Sequence, residues 1–206
     1  MSKNLLQINE ENDQSWDRLL HIKTSGRDDS KSDSYRYPYE PTPYSVLERL
    51  ANSGYIRKKN VVVDYGCGKG RVDFFLSYQL RCQTIGIEYD ERIYESALAN
   101  EKSALYSSKT SFICENAEQY DIPKEVDRFY FFNPFSLEIF RSVLSRIIDS
   151  YYENPRQIYL FFYYPQAEYI SYLMTRDELL FTDEISCEDL FEGKDSRERI
   201  IVFELM

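Results

Sequence analysis

The residues whose types and spacing could do chemistry are concentrated in one short segment, residues 60–71, which reads N-V-V-V-D-Y-G-C-G-K-G-R. Gly66, Gly68 and Gly70 alternate just after an acid, Asp64. Glycine takes backbone angles that other residues resist, and it lets a ligand approach peptide N–H groups because no Cβ intervenes. The apolar run before the acid predicts a strand, and the apolar spacing after the glycines predicts a helix. The segment is therefore predicted to be a nucleotide-binding turn.

The glycine spacing separates this turn from two better-known nucleotide motifs. A dinucleotide fingerprint G-x-G-x-x-G needs its third glycine at position 71, which is arginine, and no G-K-S/T follows that would make a P-loop. The segment resembles instead the first motif of the class I S-adenosylmethionine-dependent methyltransferases, a hydrophobic run, an acid, one residue and G-x-G-x-G. This resemblance implies that the cofactor is S-adenosylmethionine and is held by Asp64, Gly66, Cys67, Gly68 and Gly70.

A second acid follows at the end of the next predicted strand, Gln83–Glu88. Glu88 falls 18 residues after Gly70, close to where nucleotide-binding α/β units place a carboxylate for the ribose hydroxyls. The family resemblance gives Glu88 that role and implies that Tyr89 packs against the adenine. After a predicted third strand it also implies adenine contacts from Asn116 and Ala117. Asparagine replaces the commoner acid there but keeps an acceptor oxygen.

The predicted fourth strand, Val126–Phe132, runs directly into Asn133, Pro134 and Phe135. N-P-F resembles the [D/N/S]-P-P-[Y/F/W] signature of amino-group methyltransferases, although it lacks the second proline. The resemblance implies that Asn133 lies near the transferable methyl, where it belongs to the cofactor-binding residues and also orients the acceptor, on which Phe135 stacks. The alternative is a packing role, with Asn133 as a turn former and Phe135 in the core.

The elements around these motifs predict an α/β fold, because strand and helix patterns alternate after about residue 42. Residues 158–164 form the continuous apolar run expected of a central parallel strand. Leu179–Leu190 and Arg197–Leu205 predict two final strands. The resemblance implies a Rossmann-like, seven-stranded, mostly parallel sheet with helices on both faces and a C-terminal antiparallel hairpin.

The N-terminal part is predicted to be an extension and linker, residues 1–34, ahead of an S-adenosylmethionine-binding domain over residues 35–206. Apolar spacing favours a helix from about Asp13 to Lys23, and the polar residues 24–34 favour a mobile link. Residues 35–44 carry four tyrosines and three prolines. These rings could lie across the cofactor mouth, facing the sulfonium cation, or pack the segment onto the domain.

Composition limits the function further. The 25 basic and 35 acidic residues give a net charge of −10, which disfavours a long phosphate backbone as substrate. The single histidine, His21, argues against a histidine metal site or a Ser-His-Asp system. The four cysteines lack C-x-x-C spacing, so reduced thiols are expected, and no apolar run has the length of a membrane span. We therefore expect a cytoplasmic protein without a membrane or metal partner.

The expected function is methyl transfer from S-adenosylmethionine to a nitrogen or oxygen nucleophile on a small molecule or protein side chain. A catalytic base is not obligatory, since the sulfonium carries the activation and the protein mainly aligns the acceptor. Three alternatives stay open: methylation of a nucleic-acid amino group, a non-catalytic S-adenosylmethionine-binding subunit, and a nicotinamide-dependent dehydrogenase. Arginine at position 71 counts against the last.

Overall fold

The computed structural model describes residues 4–28 and 39–206. Within these residues one seven-stranded sheet has the order β3-β2-β1-β4-β5-β7-β6. The strands are β1 (Val61–Tyr65), β2 (Gln83–Glu88), β3 (Thr110–Cys114), β4 (Arg128–Phe131), β5 (Ile158–Tyr163), β6 (Leu179–Ser186) and β7 (Arg199–Leu205). The helices are α1 (Leu5–Leu20), α2 (Tyr44–Asn52), α3 (Arg71–Leu80), α4 (Glu91–Ser103), α5 (Leu137–Glu153) and α6 (Ala167–Leu173).

The sheet has the predicted architecture. Its first five strands pair in parallel, whereas β7 pairs antiparallel with both β5 and β6. This confirms the Rossmann-like, mostly parallel sheet with a C-terminal antiparallel hairpin. The chain order reverses between β1 and β4, and ligands bind at such a switch point, beyond the carboxyl ends of the strands.

Aromatic side chains fill the centre of the sheet because β4 and β5 are covered on both faces. Phe131 and Phe162 stack in register with ring centroids 4.9 Å apart, and Phe140 of α5 meets both rings edge-on. On the opposite face Tyr130 and Phe161 join a second core with α2 and α3. The strands are therefore fixed rigidly where their ends form the site.

Several element ends differ from the predictions for local reasons. Helix α1 begins at Leu5 rather than near Asp13, because Asn4 and Gln7 cap it reciprocally. It ends at His21, which takes a left-handed conformation with φ 60°. Helix α2 begins without a side-chain cap, although the sequence favours Thr42 as one, because the Thr42 hydroxyl instead lies 3.0 Å from the Tyr130 hydroxyl. The strand predicted to reach residue 190 ends at 186 and gives way to a 3-10 turn.

The N-terminal helix is part of the same folded unit as the sheet. Trp16 stacks on Tyr44 of α2 and meets Phe75 of α3 edge-on, while Leu20 and Ile22 are buried in the shared core. The predicted mobile link, residues 24–34, begins with Thr24, which is buried. Residues 29–34 of that link lie outside the described residues, and the predicted boundary at residue 34 stays a prediction.

A buried arginine fastens this extension to the glycine turn. Arg71 is 2% exposed and donates to the carboxylate of Asp13 at 2.5 Å and to the hydroxyl of Thr24 at 2.7 Å. Asp17 accepts from the backbone N–H and the hydroxyl of Thr24 and from the hydroxyl of Tyr44. The guanidinium also lies 4.6 Å over the Tyr44 ring. Thr24 is thus buried and fully hydrogen-bonded.

Replacing Arg71 should destabilise the whole domain, because Asp13 would lose its countercharge in a low-dielectric site. We expect Arg71→Met to lower the free energy of unfolding by about 3–5 kcal/mol. Urea denaturation measures it, with Arg18→Met on the exposed face of α1 as a control that should stay within about 0.5 kcal/mol. Equal stability of the two variants would contradict the anchoring role of Arg71.

Candidate active site

A cavity lies at the switch point, beyond the carboxyl ends of β1, β2 and β4. It is lined by nine of the eleven predicted site residues: Asp64, Gly66, Cys67, Glu88, Tyr89, Asn116, Ala117, Asn133 and Phe135. The other two, Gly68 and Gly70, belong to the turn itself and do not line the cavity. The sequence motifs, separated by up to 70 positions, are thereby brought to one place.

The glycine turn owes its shape to the backbone of β2. The peptide N–H groups of Gly66 and Cys67 both donate to the carbonyl of Ile87, at 2.9 and 3.0 Å. Gly66 has φ 77°, and a Cβ there would come within 2.5 Å of Cβ of Pro134. Gly70 has φ 85° and ends the turn where α3 begins. Only glycine at position 66 therefore allows the turn and the N-P-F segment to meet.

Glu88 joins the end of β2 to the glycine turn. One carboxylate oxygen accepts from the N–H of Gly68 at 3.0 Å, and the other accepts from the N–H groups of Tyr89 and Asp90. Burial raises the pKa of Glu88, and these three hydrogen bonds oppose the rise. A carboxylate has about four acceptor sites, so capacity remains for a ligand hydroxyl.

The residues predicted to contact the adenine, Tyr89, Asn116 and Ala117, all line the cavity. Asn116 uses its side-chain oxygen to accept from the N–H of Glu118, which holds a local turn. Ala117 is buried, whereas Tyr89 is 53% exposed at the rim. Glu115, which was not among the predicted site residues, also lines the cavity.

Asn133 has an unusual backbone that its side chain supports. Its φ is 41°, and its side-chain N–H₂ donates at 2.6 Å to the carbonyl of Tyr164, itself a left-handed residue with φ 49°. Such conformations cost free energy and cluster at functional sites. One N–H of the amide is thus engaged, and the amide oxygen is the group that could accept from a ligand.

Phe135 lies at the border between the cavity and the core. Its ring is 6% exposed and meets Tyr65 and Phe131 edge-on at 6.4 Å. Phe132, which was not predicted as a site residue, also lines the cavity and is less buried. The geometry around Phe135 matches the packing alternative at least as well as stacking on an acceptor.

The N-terminal segment reaches the site through Tyr39. Its ring packs against Gly68 so closely that a Cβ at that position would collide with it, and its hydroxyl donates to the carbonyl of Thr24 at 2.5 Å. Asp28 pairs with Tyr39 through two backbone hydrogen bonds, and both residues line the cavity. Tyr35 and Tyr37 lie outside the described residues.

The cavity is strongly acidic. Asp28, Glu40, Asp64, Glu88, Asp90 and Glu115 line it, and among its described lining residues Arg71 is the one basic side chain. Burial raises the pKa of Asp64 to about 8, and burial together with the neighbouring Asp64 carboxylate raises the pKa of Asp73 well above its usual range. At neutral pH this buried pair therefore carries fewer than two charges.

The sequence places the chain in a known family: it matches the methyltransferase domain over residues 43–188. That match covers more than half of the chain and both the glycine turn and the N-P-F segment. The protein belongs to the methyltransferase-domain family.

Particular relatives extend this assignment. A protein-lysine N-methyltransferase from Saccharolobus islandicus (strain REY15A) is 33% identical over 87 residues, which are 41% of this chain and 53% of the relative, so the match spans about half of that protein. The structure resembles human methyltransferase 10 domain containing protein (TM-score 0.60, 11% identity, 98% and 97% of the two chains). It also resembles an RNA methyltransferase from Salinibacter ruber in complex with S-adenosyl-L-homocysteine (TM-score 0.53, 19% identity, 81% and 92%).

The residues at the cavity fit S-adenosylmethionine, the cofactor that the family implies. Apart from its carboxylate, that molecule presents cationic sulfonium and ammonium groups, ribose hydroxyls and an adenine amino group, which are cations and donors. The cavity offers carboxylates and the Asn116 amide, which are anions and acceptors. Position 66 also has no room for a Cβ. Asp64, Glu88 and Asn116 are the side chains whose chemistry suits this ligand.

Some site residues could not be found from the sequence. Tyr39 was predicted only as one of four tyrosines, and its contact with Gly68 depends on the docking of the whole extension. Asp73 follows the glycine motif on α3, but an acid in the first turn of a helix usually indicates a favourable dipole contact rather than burial. No local pattern reveals its proximity to Asp64.

The buried acid pair should make stability depend on pH. A carboxyl whose pKa is raised by folding stabilises the native state below its unfolded pKa, and this contribution is lost as pH rises through the folded value. We expect stability to fall between about pH 4 and pH 8. Asp73→Asn should flatten this fall by about 1 kcal/mol or more, because an amide can donate to Asp64 without charge.

Urea unfolding at pH 5 and pH 8 tests this dependence. Asp149→Asn on the exposed face of α5 removes one carboxylate outside the pair and should leave the difference between the two pH values unchanged. The coupling would be refuted by an Asp73→Asn protein that retains the wild-type difference.

Proposed function

We propose that the protein transfers a methyl group from S-adenosylmethionine to a nitrogen or oxygen nucleophile on a small molecule or protein side chain. The observation that carries the proposal is the contact between Gly66 and Pro134, which puts the glycine turn and N-P-F on one cavity. When bound, the cofactor would supply a methyl group on its sulfonium sulfur. The nucleophile attacks this methyl in line with the carbon–sulfur bond, and the electron pair of that bond stays on the sulfur.

The chain's own residues then bind and align. Asp64, Glu88, Tyr89, Asn116 and Ala117 hold the cofactor, with Gly66, Cys67, Gly68 and Gly70 shaping the turn. Asn133 orients the acceptor through its amide oxygen, since its amide nitrogen is engaged by the Tyr164 carbonyl. Phe135 remains a proposed acceptor contact, although its ring is mostly in the core. Alignment is sufficient because the sulfonium already carries the activation.

A nucleic-acid amino group is the second candidate acceptor. N-P-F and the likeness to an RNA methyltransferase favour it, although a likeness at 19% identity argues for the fold alone. The acidic cavity opposes it, since a phosphate backbone would approach like charges. The relative named as a protein-lysine N-methyltransferase supports a protein side chain instead. A cytoplasmic location is part of the same proposal and agrees with four free thiols.

The cofactor part of this proposal can be tested by calorimetric titration with S-adenosylmethionine, S-adenosylhomocysteine and NAD. We expect saturable binding of the two sulfur ligands only. Gly66→Ala should abolish it, because the new Cβ would meet Pro134 at 2.5 Å. Gly54→Ala is the matched control, since Gly54 also has a positive φ (84°) but nothing within 4 Å of its Cβ position.

The two outcomes of this titration point to different functions. Loss of binding in Gly66→Ala but not in Gly54→Ala would assign the loss to the turn rather than to backbone strain. Binding of NAD alone, or of none of the ligands in well-folded protein, would overturn the methyltransferase proposal.

The acceptor part can be tested through Asn133. We expect Asn133→Ala and Asn133→Gly to bind S-adenosylhomocysteine like the wild type but to transfer methyl on the order of 100-fold more slowly, because one orienting hydrogen bond is lost. Glycine suits the left-handed backbone and separates strain from chemistry. Tritiated methyl transfer is measured to a lysine peptide, an adenosine oligoribonucleotide and catechol.

Equal loss of cofactor binding and transfer would give Asn133 a structural role. A wild-type protein that binds S-adenosylhomocysteine but methylates none of the three probes would favour the non-catalytic binding subunit.

A further inference from the structure

A second cleft adjoins the cavity of the glycine turn. The two share Glu40, Pro41, Phe132 and Asn133, so a molecule in the cleft would border directly on the N-P-F segment. The cleft has a volume of about 450 Å³. Its remaining walls come from the end of β5 and from the connection between β6 and β7, including Tyr164 and Glu198.

Aromatic rings form one part of this cleft. Phe132 lies 4.7 Å from Tyr163 in a tilted pair and 6.5 Å from Tyr164 in an edge contact. Tyr163 is buried, whereas Phe132 and Tyr164 are partly accessible, and the Arg197 guanidinium lies 4.5 Å over one face of the Tyr164 ring. Such walls suit a narrow apolar stem, and ring faces also attract cations.

Charge distinguishes the other part of the cleft. Arg27, Glu40 and Glu198 line it, and Arg27 lies 3.6 Å from Glu40 in a pair that is more than half exposed and therefore weak. Near the rim, Asp195 is paired with Arg197 and accepts from the Tyr164 hydroxyl.

Glu198 differs from these acids. It is partly buried and accepts from the Tyr163 hydroxyl at 2.6 Å, and no described Lys or Arg side chain forms an ion pair with it. Burial, with repulsion from Asp195 and Glu40, raises the pKa of Glu198, and the hydrogen bond from Tyr163 and the charge of Arg197 oppose the rise. Arg197 is itself paired with Asp195, so the direct ion-pair position at Glu198 is one that a cationic ligand could take.

We propose that the cleft binds the methyl acceptor as an alkylamine, recruited as a primary ammonium group on an unbranched stem such as a lysine side chain. The ammonium proton passes to the Glu198 carboxylate before the nitrogen lone pair takes the methyl. Glu198 faces the ammonium group, and Phe132 and Tyr164 flank the stem. This inference rests on the proposed function, which it narrows to one acceptor chemistry. A nucleic acid would instead bring phosphates toward Glu40 and Glu198.

The test titrates n-butylammonium, n-butanol and adenosine monophosphate into the protein and follows the aromatic ring resonances by NMR, with and without S-adenosylhomocysteine. We expect n-butylammonium to shift the rings of Phe132 and Tyr164 and to bind about tenfold more tightly than n-butanol. Glu198→Gln should abolish this preference of about tenfold, because the amide oxygen still accepts from Tyr163 but the negative charge is gone.

Glu192→Gln is the matched control, because it removes the same charge from an exposed residue of the neighbouring loop and should leave binding unchanged. Calorimetry on Glu198→Gln should give the wild-type affinity for S-adenosylhomocysteine. Equal binding of n-butanol, an effect of Glu192→Gln as large as that of Glu198→Gln, or ring shifts caused by adenosine monophosphate alone would overturn the inference. Failure to bind S-adenosylhomocysteine while the alkylammonium still binds would refute the proposed function and not the cation preference of the cleft.

Discussion

The burial of one guanidinium constrains much of this structure. A buried charge is tolerated only when it is paired and hydrogen-bonded, and Arg71 finds its partners on three separate segments: Asp13 on α1, Thr24 after it, and the carbonyl of Thr42 before α2. Because Arg71 directly follows Gly70, the same contacts fix the end of the glycine turn. The extension is thus connected to the cofactor side of the site by electrostatics as well as by apolar packing.

The two halves of the site are continuous. The cavity of the glycine turn and the adjoining cleft share a wall, which includes Glu40, Pro41 and the strained Asn133. Asn133 is held by the Tyr164 carbonyl, so the end of β4 is positioned by the end of β5. The central strands therefore determine where the two ligands would meet, while the loops determine what kind of ligand each cavity favours.

The sequence was sufficient for the parts of the fold that depend on local patterns. The alternating glycines after Asp64, the acid Glu88 and the apolar strands predicted the sheet and nine of the residues that line the cavity. It was insufficient where side chains distant in sequence meet. The start of α1 at Leu5 was missed for a local reason, since the Asn4–Gln7 capping box lies outside the apolar stripe. The Asp64–Asp73 pair, in contrast, depends on how α3 packs on β1. The acidic cleft at Glu198 requires the hairpin to be folded back beside β5.

The composition of the acceptor cleft has a consequence for folding order. The glycine turn is built mainly from residues 61–88, which are near neighbours along the chain, so its contacts close short loops. The cleft joins Arg27 and residues 40–43 with residues 191–198, and contacts of such long sequence separation form late because loop closure must come first. The nucleotide-binding half can thus assemble before the substrate-selecting half. We therefore expect the cleft to take shape after the glycine turn has formed.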